Sequence, residues 1–255
     1  MARESKMTAR RWNWRLTAAI AVLALACVTT AMAALKVRRF VTTDPQFNLS
    51  RDRKDALRFE GVRYAARAKI MRVFAPDFGR SVFSAPLAER RRALLAIDWV
   101  EDASVSRIWP DRLLVRVQER KPVAFVSFRS GVLLIDRTGV LLDPPAQAQF
   151  AFPVLSGIRG TDTPEQRHER VRTFLRVEED LGYLGKDVSE VDAGDPDNVR
   201  IVAQVGNRAL ELLLGDADFA RRYQSFLNHY PEIQKRSPGV KAFDLRLEDR
   251  ITAKE

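Results

Sequence analysis

From Leu16 to Leu35 the chain runs twenty positions without a charge, and beyond Leu35 it breaks into short apolar and polar stretches. At 1.5 Å per residue the first run makes a helix ~30 Å long, the thickness of a bilayer core. Residues 36–56, KVRRFVTTDPQFNLSRDRKDA, read as a juxtamembrane linker. Its basic residues suit either an anionic membrane surface or plain solvent. Regular pattern then begins. Leu57 and Phe59 mark a short strand ending near Gly61. Ala66, Ile70, Val73 and Phe74 follow helical spacing up to Pro76. Ser84 and Pro86 open a second helix with Leu87, Leu94, Leu95 and Ile97 on one face and Arg90, Arg91 and Arg92 in solvent. Ala103 and Val105 alternate with serines, WPDR turns the chain, and Leu113, Val115 and Val117 alternate with Arg116 and Gln118. Strand, helix, helix, strand, strand predicts two helices on a three-stranded sheet.

The second half has its own pattern. GVLLIDRTGVLLDPP predicts two strands around Arg137–Gly139, and FPVLSG a third. Thr163, Pro164 and Gln166 form a capping box with proline at the first helical position. The helix they open has Val171, Phe174, Leu175 and Leu181 as its buried stripe. Residues 187–214 predict three antiparallel strands with turns at Asp195–Asn198 and Gly206–Asn207. A helix from Asp216 buries Phe219, Tyr223, Phe226, Leu227 and Tyr230 and ends at Pro231. VKAFDLRLEDRITAKE predicts one last strand with no later stretch to cover its far edge.

Charge changes the picture in one respect. The chain has a net charge of +10, but residues 1–92 hold 20 Lys/Arg against 7 Asp/Glu and residues 93–255 hold 23 against 26. The excess belongs to the membrane-proximal third, so no nucleic acid is expected as a partner. Arg3, Lys6, Arg10, Arg11 and Arg15 precede the apolar run, and Trp12 and Trp14 stand where interfacial aromatics belong. The expectation is an uncleaved single-pass type II anchor with a cytoplasmic N-terminus. A cleaved signal ending near Ala31–Ala34 is the alternative. The sole cysteine, Cys27, lies inside the apolar run, so neither disulfide nor zinc site is expected outside the membrane.

The stretch Ile97–Phe125, IDWVEDASVSRIWPDRLLVRVQERKPVAF, carries a resemblance. The pattern (I/L)xWVxxAxVxRxWPxxLxVxVxExxPVA is met by Ile97, Trp99, Val100, Ala103, Val105, Arg107, Trp109, Pro110, Leu113, Val115, Val117, Glu119, Pro122, Val123 and Ala124. It resembles the POTRA module of the bacterial division proteins FtsQ/DivIB, and the likeness extends over residues 57–255. Together with the apolar run and its flanking charges, the resemblance implies an α+β chain in five parts. These are a cytoplasmic tail at 1–15, a transmembrane helix at 16–35, the linker at 36–56, a POTRA domain at 57–121 with two helices on a three-stranded sheet, and a C-terminal mixed β-sheet domain with helices on it at 122–255. The resemblance further implies a non-enzymatic, membrane-anchored scaffold of the division machinery at the septum, with its bulk in the periplasm. It would bind proteins of the FtsB and FtsL type, and other division proteins through the POTRA part, with no small-molecule substrate. Carried over residue by residue, the FtsB-type contact falls on Arg246, Leu247, Asp249, Arg250 and Ile251, by addition of a strand to the last strand's edge. Leu247 stands where the family has an aromatic, and Arg250 near where it has glycine.

Candidate chemistry is sparse. His168 and His229 fall on predicted helices, HERVR is not HExxH, and no nucleophile elbow, P-loop or dinucleotide fingerprint occurs. Ser156 lacks a base at motif level, and Asp192, Asp195 and Asp197 read as turn residues rather than a cation site. No cofactor, metal or catalytic residue is expected. Trp99 and Trp109 read as packing anchors and Arg107–Glu119 as a cross-hairpin pair. Besides the scaffold, a POTRA-type chaperone or interaction module for exported or outer-membrane proteins is the alternative, and an exported hydrolase a weaker third.

Overall fold

The computed structural model describes residues 14–146, 148–247 and 250–254. The basic residues ahead of the apolar run up to Arg11, and Trp12, lie outside them. The architecture is α+β, as the pattern predicts. Helix α1, Trp14–Thr43, contains the whole apolar run and one span, Thr17–Thr43, long and apolar enough to cross a membrane. It continues eight residues past Leu35 because nothing breaks it before Pro45; of its last carbonyls Phe40 O accepts the Asp44 N–H at 3.0 Å and Val41 O the Ser81 hydroxyl, while threonine hydroxyls bond back one turn. Thr42 donates to Arg38 O at 2.8 Å and Thr43 to Arg39 O at 2.6 Å. Asp44 then caps a single 3-10 turn, Pro45–Phe47, by accepting from the Gln46 N–H. Within the stretch read as a juxtamembrane linker, the end of α1 and this turn account for residues 36–43 and 45–47, and Phe47, Leu49 and Ala56 are buried.

The chain packs into two compact units. The first holds the described residues up to Glu60 with Met71–Arg91 and Ser104–Val115. The second holds Gly61–Ile70, Arg92–Ala103 and the described residues from Arg116 onward. Strand β1 (Leu57–Glu60), helices α2 (Arg67–Val73) and α3 (Leu87–Leu95), and strands β2 (Val100–Ile108) and β3 (Arg112–Glu119) follow the predicted order, and the strands form a sheet ordered β1-β3-β2. Gly61 ends β1 at φ +80°, and a Cβ there would run into the Val117 carbonyl oxygen.

Three side-chain expectations for this region need correction. Arg90 is not free in solvent, because its guanidinium grips the buried Asp77 carboxylate at 2.7 and 2.9 Å. That hydrogen bond also holds the Arg90 pKa above its ordinary value, against the opposing effect of burial. Arg107 and Glu119 do not pair. Arg107 donates to the carbonyls of Val82 (2.7 Å), Phe83 (3.3 Å) and Ala85 (2.9 Å), fixing the loop ahead of α3. Glu119 accepts the consecutive N–H groups of Arg63, Tyr64 and Ala65 at 2.7–3.0 Å, holding the turn ahead of α2. The two tryptophans also part company. Trp99 is 5% exposed, with its indole N–H on Asp143 O at 2.8 Å, whereas Trp109 is 72% exposed. Trp109 lies in the turn between β2 and β3, past the last residue of β2 and so outside the alternation that buries one face of the strand.

The second unit carries β4 (Pro122–Phe128), β5 (Gly131–Asp136), β6 (Leu141–Leu142), β7 (Val154–Ser156), α4 (Pro164–Leu181), β8 (Val188–Asp192), β9 (Val199–Val205), β10 (Arg208–Gly215), α5 (Phe219–Arg236), β11 (Ala242–Asp244) and β12 (Thr252–Lys254). They form one nine-stranded sheet, β12-β11-β10-β9-β8-β7-β4-β5-β6. The β4–β7, β7–β8 and β10–β11 steps are parallel and the others antiparallel. Ile201 and Ala203 of β9 face Leu212 and Leu210 of β10 in register, Val199 faces Gly215, and all are buried, while Arg200, Gln204 and Glu211 are exposed. That alternation gives the sheet one face for the helices. The predicted capping box opens α4, with Thr163 and Gln166 bonded reciprocally at 3.0 and 3.3 Å. Val171, Phe174 and Leu181 of α4 and Phe219, Tyr223, Phe226 and Tyr230 of α5 join the same core.

Helix α5 does not end at Pro231 but runs through it to Arg236. Proline removes one intrahelical donor. Apolar contacts on both sides of it, Phe226 and Tyr230 before and Ile233 after, hold the helix to the core regardless.

Candidate partner-binding edge

The predicted partner residues lie where the sheet ends. Phe243 in β11 is buried against Phe226 (5.1 Å between ring centroids) and edge-on to Tyr230 (6.3 Å), which seats β11 beside β10 with Leu212 opposite Phe243. Leu245 is also buried, and its N–H donates to Leu213 O at 2.9 Å. The chain then reverses. Ala242, Phe243 and Asp244 pair antiparallel with Lys254, Ala253 and Thr252, so β12 covers the outer side of β11 and becomes the sheet edge.

The single last strand expected from the sequence is thus a hairpin, and among the described residues Thr252–Lys254 is the outermost strand. Arg246, Leu247, Arg250 and Ile251 all fall in its loop, while Asp249 and Glu248 lie outside the described residues. The reason is local. The Asp244 carboxylate accepts the Arg246 N–H at 3.1 Å, an Asx-type turn, and Leu245 and Ile251 both return to the same core. An Asp two positions ahead of a polar run is the signal for it.

Arg246 is committed within the chain. Its guanidinium bonds to Asp244 at 2.7–3.2 Å and to Asn198 Oδ1 at 2.8 Å. The hydrogen bond from Arg246 holds the Asp244 carboxyl below the usual carboxylate range, and Asp244 in turn raises Arg246. The depressed carboxyl makes this contact a stabilising one above the ordinary carboxylate pKa, and it is lost as pH falls through the folded value. Leu247 is 56% exposed, whereas Ile251 is half-buried.

Beside this loop α5 presents Ser225, His229, Glu232 and Arg236, spaced 4, 3 and 4 and so on one helical face. With Ile233, Arg250 and Ile251 they line an open groove of about 280 Å³. A smaller one of about 100 Å³, bounded by Leu245, Leu247 and Arg222, adjoins it through Ser225 and Ile251. Reading the helix as ending at Pro231 hides Glu232 and Arg236. The groove mixes acid, base and apolar side chains, two of them, Arg250 and Ile251, immediately ahead of β12. His229 sits mid-helix with Nδ1 2.8 Å from Ser225 O, a carbonyl that can only accept. Ser156 Oγ is buried without a hydrogen-bond partner among the described residues, so no base there touches it. Asp192 accepts from Gly194 N–H, and Asp195 from Asp197 N–H and the Asn198 amide, which lowers the Asp195 pKa; both serve turns.

By fold this is a POTRA-bearing protein whose second domain is a mixed sheet ending in a short edge strand. Residues 55–120 match the family model of the FtsQ-type POTRA domain, and residues 124–246 that of the FtsQ/DivIB cell-division C-terminal domain. The chain belongs to the FtsQ/DivIB family of cell division proteins. It is 35% identical over 203 residues to cell division protein FtsQ of Koribacter versatilis, covering 77% of this chain and 58% of that one. It is 26% identical over 264 residues to the FtsQ of Bordetella pertussis, covering 92% and 89%. Among solved structures, the major extracytoplasmic domain of the trans isomer of DivIB from Geobacillus stearothermophilus is 23% identical, with a TM-score of 0.28, covering 49% of this chain and 99% of that one.

Proposed function

We propose that the protein is a non-enzymatic scaffold of the division machinery in the cytoplasmic membrane, with α1 as its anchor and residues 36–255 on the periplasmic side. Its partners are small coiled-coil division proteins of the FtsB type, paired with FtsL. The observation that carries this reading is the position of β12 as the outermost described strand, next to the groove on α5. A partner strand laid along Thr252–Lys254 gains backbone hydrogen bonds worth ~0.5–1.5 kcal/mol each. A helix continuing from it would fill the groove with side chains. Leu247, Arg250 and Ile251, which line the grooves, set which sequences fit.

Calorimetry of the full chain in detergent against the periplasmic segment of an FtsB-type protein tests the site. Ala253→Pro strips a donor from β12 and bends it. Leu247→Glu puts a charge on the exposed side chain where the family has an aromatic. Each is expected to weaken binding about tenfold, or ~1.4 kcal/mol. Unchanged affinity in both moves the site elsewhere. Orientation has its own measurement. Protease added outside spheroplasts is expected to digest the folded units and leave α1, and full protection would reverse the topology.

A further inference from the structure

We propose that the outer end of α1, with the segments bound to it, is a docking surface for anionic phospholipid headgroups, so that the first compact unit rests on the membrane rather than hanging from a flexible tether. The inference depends on α1 spanning a bilayer. The apolar run stops at Leu35, and the eight further helical residues carry the helix end ~12 Å beyond the hydrocarbon. Arg38 and Arg39 stand ~5–6 Å beyond it by the same rise, within a Debye length of ~8 Å.

The helix end is not loose. Ser81 Oγ donates to Val41 O at 2.6 Å. Phe40 meets Phe47 edge-on at 5.6 Å, and Phe47 meets Phe83 at 5.4 Å. Backbone bonds of 2.9 Å run from Leu49 N to Arg80 O, Gly79 N to Leu49 O and Val82 N to Phe47 O. This clamp brings Arg80 and Arg51 to the same end of the unit as Arg38 and Arg39. All four are exposed, and Arg51 lies over the Phe78 ring at 5.5 Å. Residues 36–54 hold six Lys/Arg and two Asp. Arg53 is already taken by Asp55 and Asp111. The remaining basic groups have the bilayer itself as their nearest large negative surface, which favours lipid over a protein or nucleic-acid partner.

Hydrogen exchange of the full chain in nanodiscs, read by mass spectrometry, decides it. Replacing a quarter of the phosphatidylcholine by phosphatidylglycerol is expected to slow exchange about fivefold in peptides covering 46–52 and 78–84. The triple variant Arg38→Gln, Arg39→Gln, Arg80→Gln should lose that slowing, while α4 exchanges alike in every sample and reports a folded second unit. Equal exchange in the two bilayers overturns the proposal, as does slowing that survives the triple substitution. Free exchange throughout 17–35 would instead refute the membrane span, and this proposal with it.

Discussion

Trp99→Ala is expected to destabilise the protein by ~3–5 kcal/mol. That corresponds to a fall in melting temperature on the order of 10 °C. Trp99 is buried, its indole N–H bonds to Asp143 O, and its ring packs between Tyr64 (5.4 Å) and Phe150 (6.4 Å). Truncation removes the largest side chain in that row and orphans the Asp143 carbonyl. Trp109→Ala, ten residues on in the same family pattern, should stay within about 0.5 kcal/mol because its ring is in solvent. Scanning calorimetry of both variants in one detergent tests the contrast, and equal losses would sink it.

Glu119→Ala should come next in size. One carboxylate satisfies three successive N–H groups, those of Tyr64 and Ala65 partly buried. Leaving two such donors unpaired costs ~2–4 kcal/mol. Glu119→Gln keeps an acceptor oxygen and should lose less than half as much. Chemical denaturation of the two variants side by side measures the difference. Equal losses would mean that the carboxylate's charge, rather than its acceptor geometry, holds the turn.

The element order is legible in the sequence because each piece has a period of its own. Alternation marks β2, β3, β9 and β10, and helical spacing with a capping box marks α4. The resemblance in Ile97–Phe125 then names the module. The features that sequence misses have a common cause, tertiary contact overriding a local rule. Pro231 should stop a helix, yet Ile233 continues the apolar stripe beyond it. The polar stretch 36–56 reads as a linker because its three buried residues, Phe47, Leu49 and Ala56, are too few to show a period. The edge is misplaced because a run of strand-like letters conceals a reversal at Asp244. The residues of the groove on α5 are out of reach for the same reason as the end of that helix.

The hairpin that ends the sheet also sets a mechanical limit. β12 is held to β11 by three residue pairs, and β11 to β10 by three more. A strand pulled along its length loads all its pairs together, whereas one pulled sideways opens them in turn. A strand added to β12 would therefore load two joints of three pairs each, short beside the seven pairs that join β9 to β10. The side chains of Leu245 and Ile251, seated in the core on either side of the loop, act as its two rivets.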